Sequence, residues 1–215
     1  MKKLITELDV IKFSKSGGNV LPIGDEDIVT DLAWDKIKAL SIATVKKNSA
    51  ENIPLAVNEI EKSQTVRRIA IGSDHTGFRI KNVLSKILTD KGYDIIDVGT
   101  YDEKSCDYPD FAFAVARKVK ENEVKFGIII DATGIPSSIT ANKLKGIRAA
   151  TCYSEFSASS AREHNNANIL VLGAKALGEE TIKSILETWL NTYFGGGRHQ
   201  RRLNKITEIE NNNLN

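Results

Sequence analysis

The chain has 215 residues, with 41% apolar and 27% charged side chains and a formal net charge of +2 at pH 7. These proportions are typical of a soluble globular protein with a sizeable buried core. The charge balance by itself neither favours nor excludes a nucleic-acid ligand. No apolar run is long enough to cross a membrane, and no signal peptide is evident. With two cysteines and no metal-spaced pair, we expect a cytoplasmic protein whose thiols stay reduced.

Residues 1–45 are predicted to form a small extension that docks on the rest of the chain. Thr6, followed by acidic residues, is typical of a helix start. Thr30 is a candidate cap for a second helix, from Asp31 to Leu40. A segment this short, with few large apolar side chains, is marginally stable alone, which favours docking.

Residues 46–66 are polar and indicate a linker with a short helix, so the main domain is predicted at residues 67–215. Short apolar runs there alternate with helical patterns. The runs predict strands at Arg68–Asp74, Tyr93–Val98, Gly127–Ile130, Gly146–Cys152 and Ile169–Leu172. The patterns between them predict helices at Gly77–Lys91, Asp110–Asn122, after Gly134, at Ser157–Asn165 and at Glu179–Tyr193. This alternation predicts an α/β fold, a parallel five-stranded sheet with helices on both faces.

Polar side chains follow the predicted strands, where ligands of parallel sheets bind. They are Asp74 and His75 after the first strand, Tyr108 after the second, and Asp131 and Thr133 after the third. The turn that begins at Asp131 leads into a helix, whose first N–H groups lack partners and carry partial positive charge. This turn is therefore a candidate anion site.

The three histidines, His75, His164 and His199, fall at predicted loop or helix ends, and we expect them on one rim of the sheet. Taken alone, a histidine at such a position is more often an ordinary surface residue. Arg198 and Arg202 follow three glycines and are one helical turn apart, a spacing at which guanidinium groups match phosphate oxygens. A solvated basic tail is the alternative. The spacing of histidine, acidic and cysteine residues favours no metal site.

Seven motifs then indicate a family. GSDHTGF, DVGT, DYPDFA, ATGI, ANKLKGIRAA, REHNNAN and GGGRHQRR stand in the order found in type B ribose-5-phosphate isomerases. From Arg68 to Glu210 the chain resembles this family, which includes the galactose-6-phosphate isomerase subunits. The resemblance implies a Rossmann-like fold and a homodimer or homotetramer with active sites shared between subunits. It implies a sugar phosphate as ligand and neither metal nor organic cofactor. We expect no nucleic-acid partner, because the arginine clusters lack interleaved aromatic residues, and no membrane partner, because no segment is long enough to span one.

The same resemblance implies roles for individual side chains. His164 would assist opening of the sugar ring, with Asn165 beside it. Asp74 and Tyr108 would contact sugar hydroxyls. The phosphate would be bound by a group of basic side chains, namely His75, Arg198 and Arg202, with His199 among them.

The departure from the family lies at Asp131, where most members place the cysteine that moves the C2 proton. Thr133 and Gly134, with nearby backbone N–H groups, would stabilise the enediolate oxygen, but Pro136 removes one N–H from that turn. Three interpretations stay open: Asp131 is the base, it binds a hydroxyl of another sugar phosphate, or the protein binds without turnover. We predict an aldose–ketose isomerase acting on ribose 5-phosphate and ribulose 5-phosphate through an enediolate.

The extension carries a resemblance of its own. ITELDV, a glycine pair and DIVTDLAWDKIKALSI are similar to a short segment of bacterial microcompartment-associated enzymes. The usual proline and arginine of that segment are replaced here by Asp31 and Trp34. The similarity implies a bacterial protein packed inside or on a protein-shelled compartment, with shell or cargo proteins as partners.

Overall fold

The computed structural model describes residues 3–15, 20–24, 27–40, 42–46 and 68–213. The predicted linker, apart from Lys46, lies outside the described residues, and so does its short helix. Among the residues that are described, no helix combines the length and apolarity needed to span a membrane.

The extension is a small α/β unit with its own apolar core. Its elements are β1 (Leu4–Ile5), α1 (Glu7–Lys15), β2 (Val20–Ile23), β3 (Ile28–Val29), α2 (Asp31–Ala39) and β4 (Ala43–Lys46). The strands pair in parallel, β1 with β3 and β2 with β4. The core consists of Ile5, Val10, Ala33, Ile37 and Ile42. Thr30 Oγ1 accepts the N–H of Ala33 at 3.2 Å, so the predicted helix cap is confirmed.

The main domain contains a parallel five-stranded sheet, as predicted. Its strands are β5 (Arg68–Ser73), β6 (Asp94–Asp97), β7 (Phe126–Asp131), β8 (Ala149–Thr151) and β9 (Ile169–Gly173), in the order β6-β5-β7-β9-β8. The central strands are almost entirely buried because helices cover both faces, which is why they are continuous apolar runs.

Helices divide between the two faces of this sheet. They are α3 (Phe78–Asp90), α4 (Tyr108–Lys120), α5 (Ile135–Ala141), α6 (Glu155–Glu163), α7 (Glu179–Asn191) and α8 (Arg198–Asn213). Leu84 of α3, Ala161 of α6 and Trp189 of α7 share one core cluster. Val115 of α4 and Ala141 of α5 belong to the cluster on the other face. The predicted fold class is confirmed.

Two helices differ from expectation. Helix α4 begins at Tyr108 rather than after Asp110, because Pro109, which suits the first turn of a helix, is already helical. The segment after the glycines, for which a solvated tail was one alternative, is the 16-residue helix α8. Buried His199 and Leu203 anchor it to the domain.

Candidate active site

At the carboxyl edge of the sheet, Asp74 is held by the turn that follows β5. Its Oδ1 accepts the N–H of Thr76 (2.9 Å), the hydroxyl of Thr76 (2.6 Å) and the N–H of Gly77 (3.1 Å). The N–H of Asp74 donates to Ile130 O at 3.2 Å, which ties this turn to β7. Gly77 permits the close approach, since a Cβ there would lie 2.6 Å from Ile130 O. Oδ2 makes no hydrogen bond with a described residue and is free for a ligand hydroxyl.

His75 lies at the same edge with a defined tautomer. Its Nδ1 accepts the N–H of Cys106 at 3.2 Å, and the Cys106 thiol lies 3.9 Å from the same nitrogen. Because Nδ1 accepts, neutral His75 carries its proton on Nε2 and can donate from there to a phosphate oxygen. Tyr108, at the first turn of α4, is half-exposed at the same edge.

Asp131 ends β7 and is 1% exposed. Its Oδ1 accepts the N–H groups of Thr133, at 2.7 Å, and of Gly134, in a still shorter bond. Its Oδ2 accepts the N–H of Ser137 at 3.1 Å. The turn predicted to bind an anion therefore holds one, and that anion is the carboxylate of the chain itself.

The turn around Asp131 is also fixed from outside. Thr151 Oγ1 donates to Gly134 O at 2.9 Å, and the hydroxyl of Tyr153 donates to Thr133 O at 3.0 Å. Thr133 Oγ1 accepts the N–H of Ile135 at 3.3 Å. Gly134 adopts a φ of 83°, a left-handed conformation that glycine accommodates without strain. The amide donors are thus preorganised by neighbouring strands.

A second cluster forms around two histidines. The rings of His164 and His199 are stacked, with centroids 4.3 Å apart and 4° between their planes. Ser160 Oγ lies 3.2 Å from Nδ1 of His164, and Asn165 Nδ2 donates to Ser160 O at 3.3 Å. Arg198 Nε donates to His199 Nε2 at 3.4 Å. Burial lowers the pKa of His199 from its ordinary value, and the neighbouring positive charges lower it further.

The two clusters lie on opposite edges of the sheet. Helix α6 follows β8 and returns antiparallel to it, so His164 is at the amino ends of the strands. Asn168 confirms this, because its N–H donates at 3.1 Å to the carbonyl of Arg148, which precedes β8. Strands of five to six residues separate the two edges by about 17–20 Å.

The expectation that the three histidines share one rim is therefore wrong. His75 follows a strand and lies at the carboxyl edge, whereas His164 and His199 follow helices that run back to the amino edge. The N–H of Gly195 donates to Glu163 O at 2.8 Å, which holds the C-terminal loop beside His164. A residue at a helix end lies at the edge opposite to one at a strand end when every helix runs antiparallel to the strands.

The structure also adds residues that the sequence did not single out. Ser137 supplies the third amide on Asp131, and the backbone of Cys106 sets the tautomer of His75. Ser137 lies in the first turn of α5, so its position near a helix start was the available signal. Cys152 offers no substitute for the missing cysteine base, because it is buried and burial raises its pKa to about 11.

No described group of three histidine, cysteine or acidic side chains could hold a metal ion. A ligand at these clusters would be bound instead by carboxylates, imidazoles, amides and guanidinium groups. Arg198 and Arg202 are both exposed on α8 and can reach a ligand outside their own domain.

The sheet order and the polar clusters at the strand and helix ends define a Rossmann-like α/β domain of the kind that binds phosphorylated ligands. Comparison with known proteins identifies it further. The chain belongs to the ribose/galactose isomerase family, whose model matches residues 69–206. The prediction of a sugar-phosphate isomerase is thereby confirmed at the level of the family.

Individual relatives agree with this assignment. Ribose-5-phosphate isomerase B of Escherichia coli (strain K12) is 43% identical over 145 residues, which are 67% of this chain and 97% of that protein. The Clostridium thermocellum ribose-5-phosphate isomerase B structure has 48% identity and a TM-score of 0.67, and the match covers 67% of this chain and 98% of that one. The Mycoplasma genitalium structure, solved with ribulose-5-phosphate bound, has 43% identity and a TM-score of 0.65, with 67% and 96% covered.

Proposed function

We propose that the protein interconverts ribose 5-phosphate and ribulose 5-phosphate through an enediolate, at a site that two copies of the chain assemble. The observation that carries this proposal is the division of the family's functional residues between opposite edges of the sheet. One chain cannot bring both clusters to one pentose phosphate, because about 17 Å or more separates them. A symmetric dimer can place the carboxyl edge of one copy against the amino edge of the other.

The carboxyl edge would hold the sugar carbons. Oδ2 of Asp74 would accept a sugar hydroxyl, since its Oδ1 already carries the bonds of its own turn. Tyr108 would contact a second hydroxyl. His75 would donate its Nε2–H to the phosphate.

The amino edge of the second copy would open the ring and bind the phosphate. His164, held by Ser160, would transfer a proton between the ring oxygen and the hydroxyl at C1. Asn165 would orient that hydroxyl. Arg198 and Arg202 would pair with phosphate oxygens, with His199 packed behind them.

Asp131 would move the proton between C2 and C1. A carboxylate oxygen has two lone-pair positions, and Oδ1 uses both on Thr133 and Gly134. Oδ2 uses one on Ser137 and keeps the other for the substrate proton. The C2–H electron pair becomes the C1–C2 double bond of the enediolate, and the carbonyl electrons at C1 move onto O1. The proton then returns from Asp131 to C1 while the proton of the C2 hydroxyl is transferred to O1, which leaves the carbonyl at C2.

The amides of this turn would then contribute little to the rate. They stabilise the negative charge on Asp131 before proton transfer as well as the enediolate charge after it. Interactions of equal strength in both states do not accelerate the step. We therefore expect a slow isomerase.

One observation favours a second candidate function, binding of a sugar phosphate without turnover. All three amides that could stabilise an enediolate oxygen donate to Asp131 itself. A site that has already used its donors can retain the phosphate and hydroxyl contacts and still lack stabilisation of the transition state.

The experiment that separates the two candidates combines a coupled isomerase assay with calorimetry, on wild type and on Asp131→Asn. Turnover of ribose 5-phosphate by wild type, reduced about 10²- to 10⁴-fold in Asp131→Asn, supports the base role. Full turnover by Asp131→Asn would exclude Asp131 as the base. Binding of a panel of sugar phosphates by an inactive wild type would establish the second candidate.

For the extension, we propose that residues 1–45 attach the enzyme to shell or cargo proteins of a bacterial microcompartment. Support comes from apolar side chains that the small core leaves exposed, among them Leu8, Leu32 and Trp34. Deleting the extension should abolish co-purification with shell proteins and leave the main domain folded by circular dichroism. Unchanged co-purification would contradict the proposal.

A further inference from the structure

A cavity of about 420 Å³ lies between helix α2 of the extension and the amino edge of the sheet. Its size is within the range of small-molecule sites. The extension contributes Asp35, Lys38 and Ala39 to its wall. The main domain contributes the starts of β7 and β8, the end of α6 and the loop before α8.

The charges that line this cavity are predominantly positive. Among the described residues that line it, the basic ones are Lys38, Lys125, Arg148 and Arg162, and the single acidic one is Asp35. None of the four cations forms a salt bridge with a carboxylate of the described residues. Among the described lining residues the positive charges outnumber the negative ones, and Glu210 acts on Arg148 from outside the lining.

Arg162 is the buried centre of this group, with 6% exposure. One of its terminal nitrogens donates to Ala167 O at 2.6 Å, and its guanidinium lies 4.5 Å from the ring of Phe126. Its Nε is buried without a hydrogen-bond partner among the described residues. An unpartnered donor on a buried cation is costly.

Each positive charge in this group disfavours the protonated form of its neighbours. Burial and, to a smaller extent, the charge of Arg148 lower the pKa of Arg162 to about 10. The pKa of Lys125 is also lowered by burial, and then by the charge of Arg162. A bound anion would oppose these shifts, because an opposite charge favours the protonated forms.

The extension closes the site and connects it to the loop before Arg198. A Cβ placed on Gly196 would lie 3.8 Å from the Cβ of Asp35, so α2 packs directly on this loop. Lys38 follows Asp35 by one turn of the same helix. The family match begins at residue 69, so this wall of the cavity lies outside the part of the chain shared with the family.

We propose that this cavity is a second, regulatory site for a phosphorylated small molecule, with its phosphate bound by Lys125, Arg148 and Arg162 and enclosed by Lys38. Two guanidinium groups and two ammonium groups suit a doubly charged phosphate better than a single carboxylate. A bound phosphate would fasten α2 to the loop that leads to Arg198. Occupancy would thereby change how the amino edge binds the substrate phosphate.

Inorganic phosphate and pyrophosphate, titrated by calorimetry into the full chain, are the probes. The cavity variant is Lys38→Ala combined with Lys125→Ala, since neither side chain belongs to the proposed active site. Lys86→Ala, an exposed lysine on α3, is the matched control. Arg198→Ala removes the active-site contact and separates the two classes of phosphate site.

Wild type and Lys86→Ala should each bind phosphate in two classes of site per chain. The cavity variant should lose one class, or bind it at least about tenfold more weakly, and Arg198→Ala should retain that class. A single class that Arg198→Ala abolishes and the cavity variant leaves unchanged would overturn the proposal. Equal binding of chloride at the same ionic strength would also overturn it. The readout is binding, so an inactive wild type would defeat the proposed isomerase and leave this test intact.

Discussion

The two edges of the sheet are built by opposite means. At the carboxyl edge, backbone amides hold the acidic side chains Asp74 and Asp131 in buried turns. At the amino edge, stacked imidazoles support arginines that are exposed on α8. In the proposed site both edges would act on each end of a pentose phosphate. His75 would join the arginines at the phosphate, and His164 would act at the end where Asp131 moves the proton.

The two edges also differ in mobility: the turns of the carboxyl edge are fixed, whereas the arginines of the amino edge are long and exposed. Turns fixed by neighbouring strands place a base within a few tenths of an ångström, as proton transfer requires. Long exposed arginines lose rotamer freedom on binding but can extend to a ligand on another subunit. The turns of the carboxyl edge are thus suited to fixing Asp131, and the arginines of the amino edge to capturing a phosphate.

The largest effect is expected when one variant loses its carboxyl edge and a second variant loses its amino edge. Asp131→Asn and His164→Ala should each reduce turnover by about 10²- to 10⁴-fold, since each removes a proton-transfer group. When the two variants are co-expressed and form mixed dimers, one intact site forms per heterodimer. Activity should then return to about a quarter of wild type, because half of randomly formed dimers are mixed and each has one of two sites intact.

The control for this mixing experiment is a pair of variants on the same edge. Asp131→Asn with Asp74→Asn should show no recovery, because no combination of these subunits contains an intact carboxyl edge. Recovery in that pair, or none in the first, would show that the site is not shared between edges of different copies.

A smaller effect is expected when the resident anion is removed from the turn. Asp131→Cys would supply a thiolate base and release the amides of Thr133, Gly134 and Ser137 for the enediolate oxygen. Because a single oxyanion donor is worth about 10²-fold or more in kcat, we expect a gain of at least about tenfold. Steady-state kinetics on ribose 5-phosphate measures it. A loss of activity relative to wild type would show that the turn has adapted to aspartate.

A change confined to the amino edge should alter binding more than chemistry. Arg198→Ala removes a charge-assisted contact worth about 1.5–3 kcal/mol, so KM should rise roughly 10- to 100-fold with kcat nearly unchanged. Arg201→Ala is the matched control, an exposed arginine of the same helix outside the proposed site. Equal effects of the two substitutions would mean that Arg198 contributes only to the overall positive charge of helix α8 and makes no specific phosphate contact.

The smallest effect concerns stability at low pH. Burial holds the pKa of His199 below its ordinary value, so the unfolded chain binds more protons at this position than the folded one. Stability should therefore fall as the pH drops through about 6.5, the ordinary histidine value. Urea unfolding from pH 8 to pH 5 should show less of this loss in His199→Gln. An identical pH profile would place the titrating group elsewhere.

The sequence alone predicted the architecture because local patterns determine it. The buried strands are continuous apolar runs, and the helices between them have an apolar face, so element type and parallel order could be inferred. Helix α8 was missed because its residues are strongly polar and only His199 and Leu203 are buried. Such a helix is stabilised by tertiary anchoring, which periodicity does not reveal.

Motif residues likewise determined the family, and the strand-to-helix pattern predicted an anion site in the turn after Asp131. The sequence could not decide what occupies that turn. Three backbone N–H groups converge on the Asp131 carboxylate only after β7 and α5 are packed and Gly134 adopts its left-handed conformation. Which donor bonds to which acceptor depends on their distance in the folded chain, and the sequence does not give that distance.

The edge on which each side chain lies was also decided by tertiary structure. His75, His164 and His199 all follow regular elements in the sequence, but one follows a strand and two follow helices that run the other way. Chain direction in the folded sheet therefore places them apart. The cavity between α2 and the amino edge arises in the same way, since Lys38 and Arg162 are far apart in sequence and meet only because the extension packs on the domain.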